Sequence, residues 1–215
     1  MSNYKYYKYY LLTLGVIVLD QIVKLLVHFY MDYGYPGQIK VFGDWFKLYY
    51  TTNPGMAFGF ELGSPYGKLI LSLFRIAAMF VIGYYLYKLA KKHMHPGLLW
   101  AIALILGGAI GNVIDSTFYG VFLNNAPYDA PTPWFHGQVI DMFYIDIWEG
   151  TLPSWIPIFG GQDYAFWPIF NIADAAIFIG VCIILIWQKR FFKESITEQQ
   201  SSDSANTPVD SPGNQ

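Results

Sequence analysis

The sequence predicts an all-α membrane protein with four transmembrane helices, a small extracytoplasmic β-sheet and a long aromatic extracytoplasmic loop. Of the 215 residues, 54% are hydrophobic, 20% are aromatic and only 13% are charged. This composition is typical of a polytopic membrane protein and not of a soluble domain. A hydrocarbon core of about 30 Å needs roughly 20 apolar residues per helix. The segments that meet this length are approximately 9–29, 68–89, 97–117 and 168–188.

Basic residues predict how these helices are oriented. They cluster before the first helix, after the second and after the fourth, at Lys5, Lys8, Lys88, Lys91, Lys92, Lys189, Arg190 and Lys193. The positive-inside rule then places both termini in the cytoplasm and the segments 30–67 and 118–167 outside. We expect residues 1–193 to form one membrane domain. Residues 194–215 are rich in Ser, Gln, Asp and Pro, and we expect a disordered cytoplasmic tail there.

The two outer segments differ in character. Val41, Trp45-Phe46 and Leu48–Thr51 suggest short strands of a sheet on the membrane surface, followed by a turn at Asn53-Pro54-Gly55. The second segment, 118–167, is interrupted by prolines and rich in tryptophan. We expect it to pack at the outer interface and to be partly helical, because long loops without their own structure are uncommon unless they are functional.

Two Asn-x-x-Asp motifs lie in otherwise apolar helices, Asn112 with Asp115 and Asn171 with Asp174. Residues three apart share a helix face. A carboxylate in the hydrocarbon region costs roughly 2.5–3.5 kcal/mol on insertion scales, so it is a candidate functional group. The alternative is that Asn112 and Asp115 are only a hydrogen-bonded structural pair, and that Asp174 is a polar interface residue. The preceding Gly107–Gly111 run predicts close helix packing.

Asp20 and Lys24 are four residues apart in the first helix, which allows a helical salt bridge. That pair could simply neutralise itself inside the bundle, or Lys24 could also hold a carboxylate or carbonyl of a functional site. Arg75, in the second helix, could satisfy carbonyls at helix ends or snorkel to the interface.

Asp141 and Asp174 are the stronger candidates for a functional pair. Asp141 lies in a short apolar stretch before the aromatic loop, and Asp174 lies at the outer end of the fourth helix. Two carboxyl groups that meet cannot both ionise cheaply, so they share a proton. One can then activate water while the other polarises a peptide carbonyl, which is amide hydrolysis without a metal.

Other chemistries find less support in the sequence. The four histidines show no spacing with acids that resembles a metal site. A nucleophile elbow is absent, Cys182 lacks a basic partner, and no basic patch suits nucleic acid. We therefore expect no metal, no cofactor and no nucleic-acid partner.

The chain resembles lipoprotein signal peptidase (signal peptidase II), a family of bacterial inner-membrane aspartic endopeptidases. The resemblance covers roughly residues 15–185 and rests on five blocks in the family's order. These are Asp20-Gln21 with Lys24; Asn53 with Gly55, Ala57 and Phe58; Gly107-Gly108 to Gly111-Asn112 and Asp115; Val139 to Asp141 with Phe143; and Phe170-Asn171 with Ala173-Asp174-Ala175.

The resemblance implies a role for each site residue. Asp141 and Asp174 correspond to the catalytic pair. The supporting polar shell is Asn112, Asp115, Asn171, Asp20 and Lys24, and the substrate-binding residues are Asn53, Gly55, Arg75 and Gln21. The implied substrate is a prolipoprotein whose cysteine carries diacylglycerol, cleaved just before that cysteine beside the membrane lipids. We expect a monomer with its active site near the outer leaflet.

Two features depart from the family's pattern. The family commonly carries Arg after the acid of the third-helix motif, whereas Ser116 occupies this position here, and Arg75 is a possible stand-in. The segments 117–136 and 144–167 also look longer than usual and could form a lid or alter which precursors fit. Two other hypotheses remain open, a small proton- or ion-coupled carrier and a non-catalytic membrane scaffold. A carrier would be expected to show an inverted repeat, and none is evident in the sequence.

Overall fold

The computed structural model describes residues 4–54, 66–146, 149–157, 160–165 and 169–205. Four long helices dominate this part of the chain: α1 (Tyr4–Tyr30), α2 (Gly67–Lys91), α3 (Pro96–Ile114) and α4 (Ile172–Ala205). The stretches long and apolar enough to cross a membrane are Tyr6–Tyr30, Gly67–Lys91, Pro96–Phe122 and Ile172–Phe191, the third of which continues past the end of α3. The four predicted membrane helices are therefore confirmed.

Helix α3 is the centre of the bundle and packs against the other three helices. Glycine permits the close approach on two sides of it. A Cβ added at Gly107 would lie 2.8 Å from the Cβ of Val16 on α1, and one at Gly108 would lie 2.2 Å from the carbonyl oxygen of Ala173 on α4. Helix backbones come this close only where small residues line the contact. The packing role predicted for the glycine run is confirmed.

A three-stranded antiparallel sheet covers one end of the bundle. Its order is β1 (Ile39–Phe42), β2 (Phe46–Asn53) and β3 (Val139–Ile145). The first two strands were predicted, but we expected only a short apolar stretch where β3 forms. In the observed register, Thr51 pairs with Asp141 and Asn53 pairs with Val139. The sheet therefore fixes the backbone on which Asp141 lies.

The end of α3 widens into a π-helical turn, Asp115–Tyr119, followed by a short helical turn at Gly120–Phe122. The predicted partly helical character of the second outer segment is thus confirmed at its start. Two carbonyls of the widened turn accept hydrogen bonds from the chain just before β3: Ser116 from the N–H of Gly137 (3.1 Å) and Thr117 from that of Phe135 (3.2 Å). The entrance to β3 is thereby fixed to α3.

Farther along the second outer segment, a two-stranded antiparallel sheet pairs β4 (Glu149–Thr151) with β5 (Asp163–Ala165). This hairpin was not predicted. A hydrogen bond of 2.6 Å runs from the Thr151 hydroxyl to Asp163 Oδ1, and Gly161 near the turn adopts φ +80°, a conformation that favours glycine.

The ends of α4 differ from the predicted ends. The helix begins at Ile172 rather than at 168, because Asn171 caps it. At the other end it continues to Ala205, past residue 194, where we expected the tail to begin. The Glu and Gln residues in this stretch are good helix formers, and extending an existing helix needs no new nucleus. Residues 206–215 lie outside the described residues.

Candidate active site

Asn171 connects the two candidate catalytic acids. Its Oδ1 accepts a hydrogen bond of 2.9 Å from the backbone N–H of Asp174, the geometry of a helix N-cap. Its Nδ2 donates to Asp141 Oδ1 at 2.6 Å. One side chain thus begins the helix that carries Asp174 and at the same time contacts Asp141. The Asn-x-x-Asp spacing of this motif is a capping arrangement as well as a polar pair.

A short backbone bridge brings the start of α4 alongside β3. The N–H of Phe143 donates to the carbonyl of Phe170 (2.8 Å), and the N–H of Phe170 donates back to the carbonyl of Phe143 (3.1 Å). This antiparallel bridge continues the sheet by one residue pair on its β3 side. It therefore fixes the position of Asn171, and through it that of Asp174, relative to Asp141.

Asn112 plays the corresponding part on α3. Its Nδ2 donates to Asp174 Oδ1 at 2.8 Å. Its Oδ1 accepts from Lys24 Nζ at 3.0 Å and from Asn171 Nδ2 at 3.3 Å. The orientation of this amide is thereby settled, because its oxygen faces two donors and its nitrogen faces the carboxylate. Each acid of the pair therefore receives a hydrogen bond from an asparagine whose other end is engaged.

Beneath the two acids lies a buried charge cluster. Lys24 Nζ lies 2.8 Å from Asp20 Oδ2 and 2.8 Å from Asp115 Oδ2, and all three side chains are 0% exposed. The predicted Asp20–Lys24 salt bridge is confirmed, and so is the interpretation that Lys24 holds a further carboxylate. Buried ion pairs are tolerated only when further hydrogen bonds satisfy their remaining atoms.

Those further hydrogen bonds go to the two elements that carry the acids. Asp20 Oδ1 accepts from the N–H of Ala173 (2.9 Å), which would otherwise be an unpaired donor in the first turn of α4. Asp115 Oδ2 accepts from the N–H of Ile140 (3.3 Å), next to Asp141. The cluster therefore holds the first turn of α4, which carries Asp174, and the part of β3 that carries Asp141. We call Asp20 and Asp115 frame residues, because they hold the elements on which the two acids lie.

Gln21 lies in the same frame. Its Nε2 donates to Asp115 Oδ1 at 2.9 Å, and its Oε1 accepts from the hydroxyl of Tyr119 at 2.9 Å. Both ends of this amide are engaged within the protein, which is the contact pattern of a positioning residue. Substrate binding by Gln21 stays a prediction. Sequence reasoning missed Tyr119, although its spacing of four residues from Asp115 on a helical segment was an available signal.

Arg75 contacts the residue at the position where the family commonly carries arginine, Ser116. Its Nη1 donates to Ser116 Oγ at 3.3 Å, and its charge acts favourably on Asp174, Asp115 and Asp141. A guanidinium from α2 thus lies beside the end of α3 and faces the acids. This is the placement that Arg75 needs if it stands in for the arginine that the family commonly carries at position 116, which we call the stand-in hypothesis.

The remaining predicted substrate contacts lie at the end of β2. The side chain of Asn53 hydrogen-bonds to Asp141, so this asparagine belongs to the site. Gly55 lies outside the described residues, and its role stays a prediction.

The environment of Asp141 favours its protonated form. Burial, followed by the negative charge of Asp174, raises the pKa of Asp141 to about 7, and hydrogen bonds from Asn53 and Asn171 act in the opposite direction. Desolvation penalises a charged carboxylate, and a like charge nearby penalises it further. A titratable group whose pKa is shifted toward neutrality by such a partner is typical of acid–base catalysis.

Comparison with known proteins identifies the fold and the class of protein. Residues 12–190 match the family model described as Signal peptidase (SPase) II. The chain belongs to the signal peptidase II family. It is 48% identical over 200 residues to the lipoprotein signal peptidase of Amoebophilus asiaticus, covering 93% of this chain and 85% of that one. It is 41% identical to the lipoprotein signal peptidase of Porphyromonas gingivalis, covering 89% and 90%.

Two solved structures share the fold of this signal peptidase II family member. Both are described as bacterial membrane enzyme structures obtained by the in meso method, at 2.3 Å and at 1.9 Å resolution. The first has a TM-score of 0.54 at 23% identity and covers 94% of each chain. The second has a TM-score of 0.55 at 26% identity and covers 83% of this chain and 90% of the other. The predicted fold class and family resemblance are confirmed, and the protein is a multi-pass membrane peptidase of the signal peptidase II type.

Proposed function

We propose that this protein is an aspartic endopeptidase that removes the signal peptide from diacylglyceryl-modified prolipoproteins, cleaving just before the lipidated cysteine. The observation that carries the proposal is the coupling of Asp141 and Asp174. The two carboxyl groups interact electrostatically, and each accepts a hydrogen bond from an asparagine held in one orientation, Asn171 and Asn112. Such a pair can share one proton, as acid–base cleavage of an amide requires.

In the resting pair, Asp141 holds the proton and Asp174 is ionised. The raised pKa of Asp141, about 7, supports this assignment. Asn171 donates to Asp141 Oδ1, which leaves Oδ2 to carry the proton toward the substrate. Asn112 donates to Asp174 Oδ1 and stabilises its negative charge. One group is thus ready to give a proton, and the other is ready to accept one.

Hydrolysis then proceeds in two proton-balanced steps. A water molecule between the acids gives a proton to Asp174 while its oxygen attacks the scissile carbonyl carbon, and Asp141 protonates the carbonyl oxygen. In the second step the diol returns a proton to Asp141, and Asp174 passes its proton to the departing nitrogen as the C–N bond breaks. The products are a carboxylic acid on the signal peptide and a free amine on the lipidated cysteine, and the pair regains its starting protonation.

Asn53 and Arg75 are the proposed substrate contacts. Asn53 is the last paired residue of the central strand β2, next to Asp141, and an extended peptide substrate would lie there. Arg75 provides a cation that offsets the charge of the acids and can bind a substrate carbonyl. The many exposed apolar side chains of the helices, such as Phe74 and Ile186, fit a setting in which the lipid and the signal helix stay in the bilayer.

The site belongs at the outer leaflet, with both termini in the cytoplasm. Helix α2 supports this placement, because Lys68 lies at the same end as the site while Lys88 and Lys91 lie at the other end. Twenty residues of helix separate Lys68 from Lys88, about 30 Å at 1.5 Å per residue, which is the thickness of the hydrocarbon core. Labelling of single cysteines at positions 88 and 44 from each side of the membrane tests the orientation.

The decisive experiment uses purified protein in detergent with a lipidated precursor peptide. We expect Asp141→Asn and Asp174→Asn each to lower the cleavage rate by roughly 10²–10⁴-fold, the range of acid–base catalysis. Asp44→Asn is the matched control, since the exposed Asp44 pairs only with Lys40 among the described side chains. Wild-type rates from either of the first two variants would refute the assigned mechanism. The family membership does not favour the carrier hypothesis, which would instead require ion transport into liposomes without cleavage.

A further inference from the structure

Helix α2 carries a polar stripe on one side of an otherwise apolar sequence. Lys68, Ser72 and Arg75 follow one another at spacings of four and three residues, which places them on one helix face. Lys68 is only 8% exposed and Ser72 only 2%. Burying such groups is costly unless each has a partner, so the contacts of this stripe indicate what it is for.

Each of the first two side chains holds a chain segment next to a site residue. Lys68 Nζ donates to the carbonyl of Pro54 at 2.6 Å, and Pro54 directly follows Asn53. Ser72 Oγ donates to the carbonyl of Phe135 at 2.7 Å, six residues before Asp141. In the part of the chain that the structure describes, neither side chain contacts Asp141 or Asp174, and the polar shell predicted from the sequence contained neither of them.

Lys68 is connected to Asp141 through two contacts, one with the backbone of Pro54 and one between Asn53 and Asp141. The ammonium group fixes the backbone at the end of β2, and Asn53 at that end hydrogen-bonds to Asp141. At 2.6 Å this contact lies at the short end of the range for N–H···O hydrogen bonds. Since Asn53 is the last paired residue of β2, opposite Val139, this bond holds the strand where its own ladder ends.

We propose that Lys68 is a positioning residue of the peptidase, which holds Asn53 in hydrogen-bonding contact with Asp141 by fixing the carbonyl of Pro54. The proposal rests on the proposed function, because it assigns Lys68 to the same reaction. A purely structural role of Lys68 would leave the protonation of Asp141 unchanged, whereas the positioning role changes it, and this difference can be measured.

The hydrogen bond from Asn53 stabilises the ionised form of Asp141 and so lowers its pKa. When the backbone at Pro54 is released, this bond is weakened and the pKa of Asp141 rises. In the proposed mechanism the loss of the Asp141 proton sets the alkaline limb of the pH–rate profile. Removing the Lys68 contact therefore moves that limb to higher pH.

The experiment measures kcat, KM and the pH profile for Lys68→Met, which keeps the length of the side chain and removes its donors. We expect the alkaline limb to move up by about one pH unit, which corresponds to losing most of one hydrogen bond to a charged group. We expect kcat to fall about tenfold with little change in KM, because the reacting groups and not the substrate are misplaced. Lys68→Arg restores a charged donor and is expected to return the limb toward the wild-type position.

Two matched controls separate positioning from general damage. Lys40→Met removes an exposed lysine of the outer segment that contains Pro54, and Ser72→Ala removes a neighbouring contact of the same stripe that does not lead to Asn53. Neither is expected to move the alkaline limb. The double variant of Lys68→Met with Asn53→Ala is expected to show the same shift as Asn53→Ala alone, because both act through one bond.

An infrared titration of the Asp141 carboxyl group, taken as the difference from Asp141→Asn, measures the same shift without any cleavage. A Lys68→Met variant with the wild-type titration, or additive shifts in the double variant, overturns the positioning role. The failure of the wild-type protein to cleave a lipidated precursor would overturn the proposed function instead, and the infrared titration would still decide the role of Lys68.

Discussion

The Nδ2 atom of Asn171 lies 2.6 Å from Asp141 Oδ1, while the Oδ1 atom of the same amide caps the helix that carries Asp174. A single side chain therefore determines both where one acid lies and how the other is hydrogen-bonded. This double role can be separated by substitution, because helix capping needs only an acceptor whereas the contact with Asp141 needs a donor of the right length.

Asn171→Ser and Asn171→Ala are expected to differ in stability but not in activity. Serine is an effective N-cap, whereas alanine loses roughly 1 kcal/mol at such a position. Neither residue reaches Asp141, so both variants are expected to lose at least tenfold in cleavage rate. Thermal unfolding in detergent together with the cleavage assay checks this. Equal melting temperatures for the two variants would contradict the capping role, and a fully active serine variant would contradict the contact with Asp141.

The protonation of Asp141 predicts how stability depends on pH. Its pKa of about 7 in the folded protein lies above the value near 4 that an aspartate has in an unfolded chain. The folded protein therefore binds a proton that the unfolded chain releases, and the resulting stability is complete below about pH 4 and is lost as the pH rises through 7. We expect Asp141→Asn to melt at a higher temperature than the wild type at pH 8, with the difference shrinking toward pH 5.

Asp44→Asn is the control for this measurement, since its side chain is 80% exposed. A melting-temperature difference between Asp141→Asn and the wild type that is the same at pH 5 and pH 8 would show that Asp141 is not protonated at neutrality. The activity of the wild type gives an independent test. Its cleavage rate is expected to fall as the pH rises above about 7, because Asp141 then loses the proton that it gives to the substrate.

The placement of Arg75 predicts that its charge can be moved to another helix. Its Nη1 donates to Ser116 Oγ, so an arginine at position 116 would bring a guanidinium to nearly the same place. We expect Arg75→Ala to lower kcat/KM by roughly 10–100-fold, because the acids lose a nearby cation in a low-dielectric site. Adding Ser116→Arg to this variant is expected to recover most of the loss. Ser116→Ala alone serves as the control, and a double variant no better than Arg75→Ala would contradict the stand-in hypothesis.

Much of the fold was predictable because its signals are local. Four apolar stretches of membrane length are visible in composition alone, and the frame residues could be chosen because charged groups in such stretches are costly. Strand β3 was missed for a physical reason. Val139–Ile145 is a short, nearly continuous apolar run, which periodicity does not distinguish from other buried segments. Its partner strand lies some ninety residues earlier in the chain.

The contacts of the site were harder to predict, because they depend on tertiary proximity. The resemblance implied substrate binding by Gln21, and its sequence block gives no sign that Tyr119 and Asp115 engage both ends of its amide. Lys68 was not among the predicted site residues. Its contact with Pro54 is formed between two elements whose relative position only the folded structure gives.

The close approach of α3 to α4 predicts the effect of substituting Gly108. A Cβ at Gly108 would lie 2.2 Å from the carbonyl oxygen of Ala173, a backbone atom that can move only if the start of α4 moves. Gly108→Ala is therefore expected to displace Asn171 and Asp174, with a loss of about 1–3 kcal/mol in stability and at least tenfold in cleavage rate. Gly83→Ala in α2 is the matched control, because its nearest neighbour would be a Leu106 side-chain carbon at 3.9 Å. Replacing this helical glycine by alanine is expected to stabilise the protein by about 0.5–1 kcal/mol. Thermal unfolding and cleavage assays of both variants decide the matter, since equal behaviour of the two would mean that the contact between α3 and α4 does not position the acids.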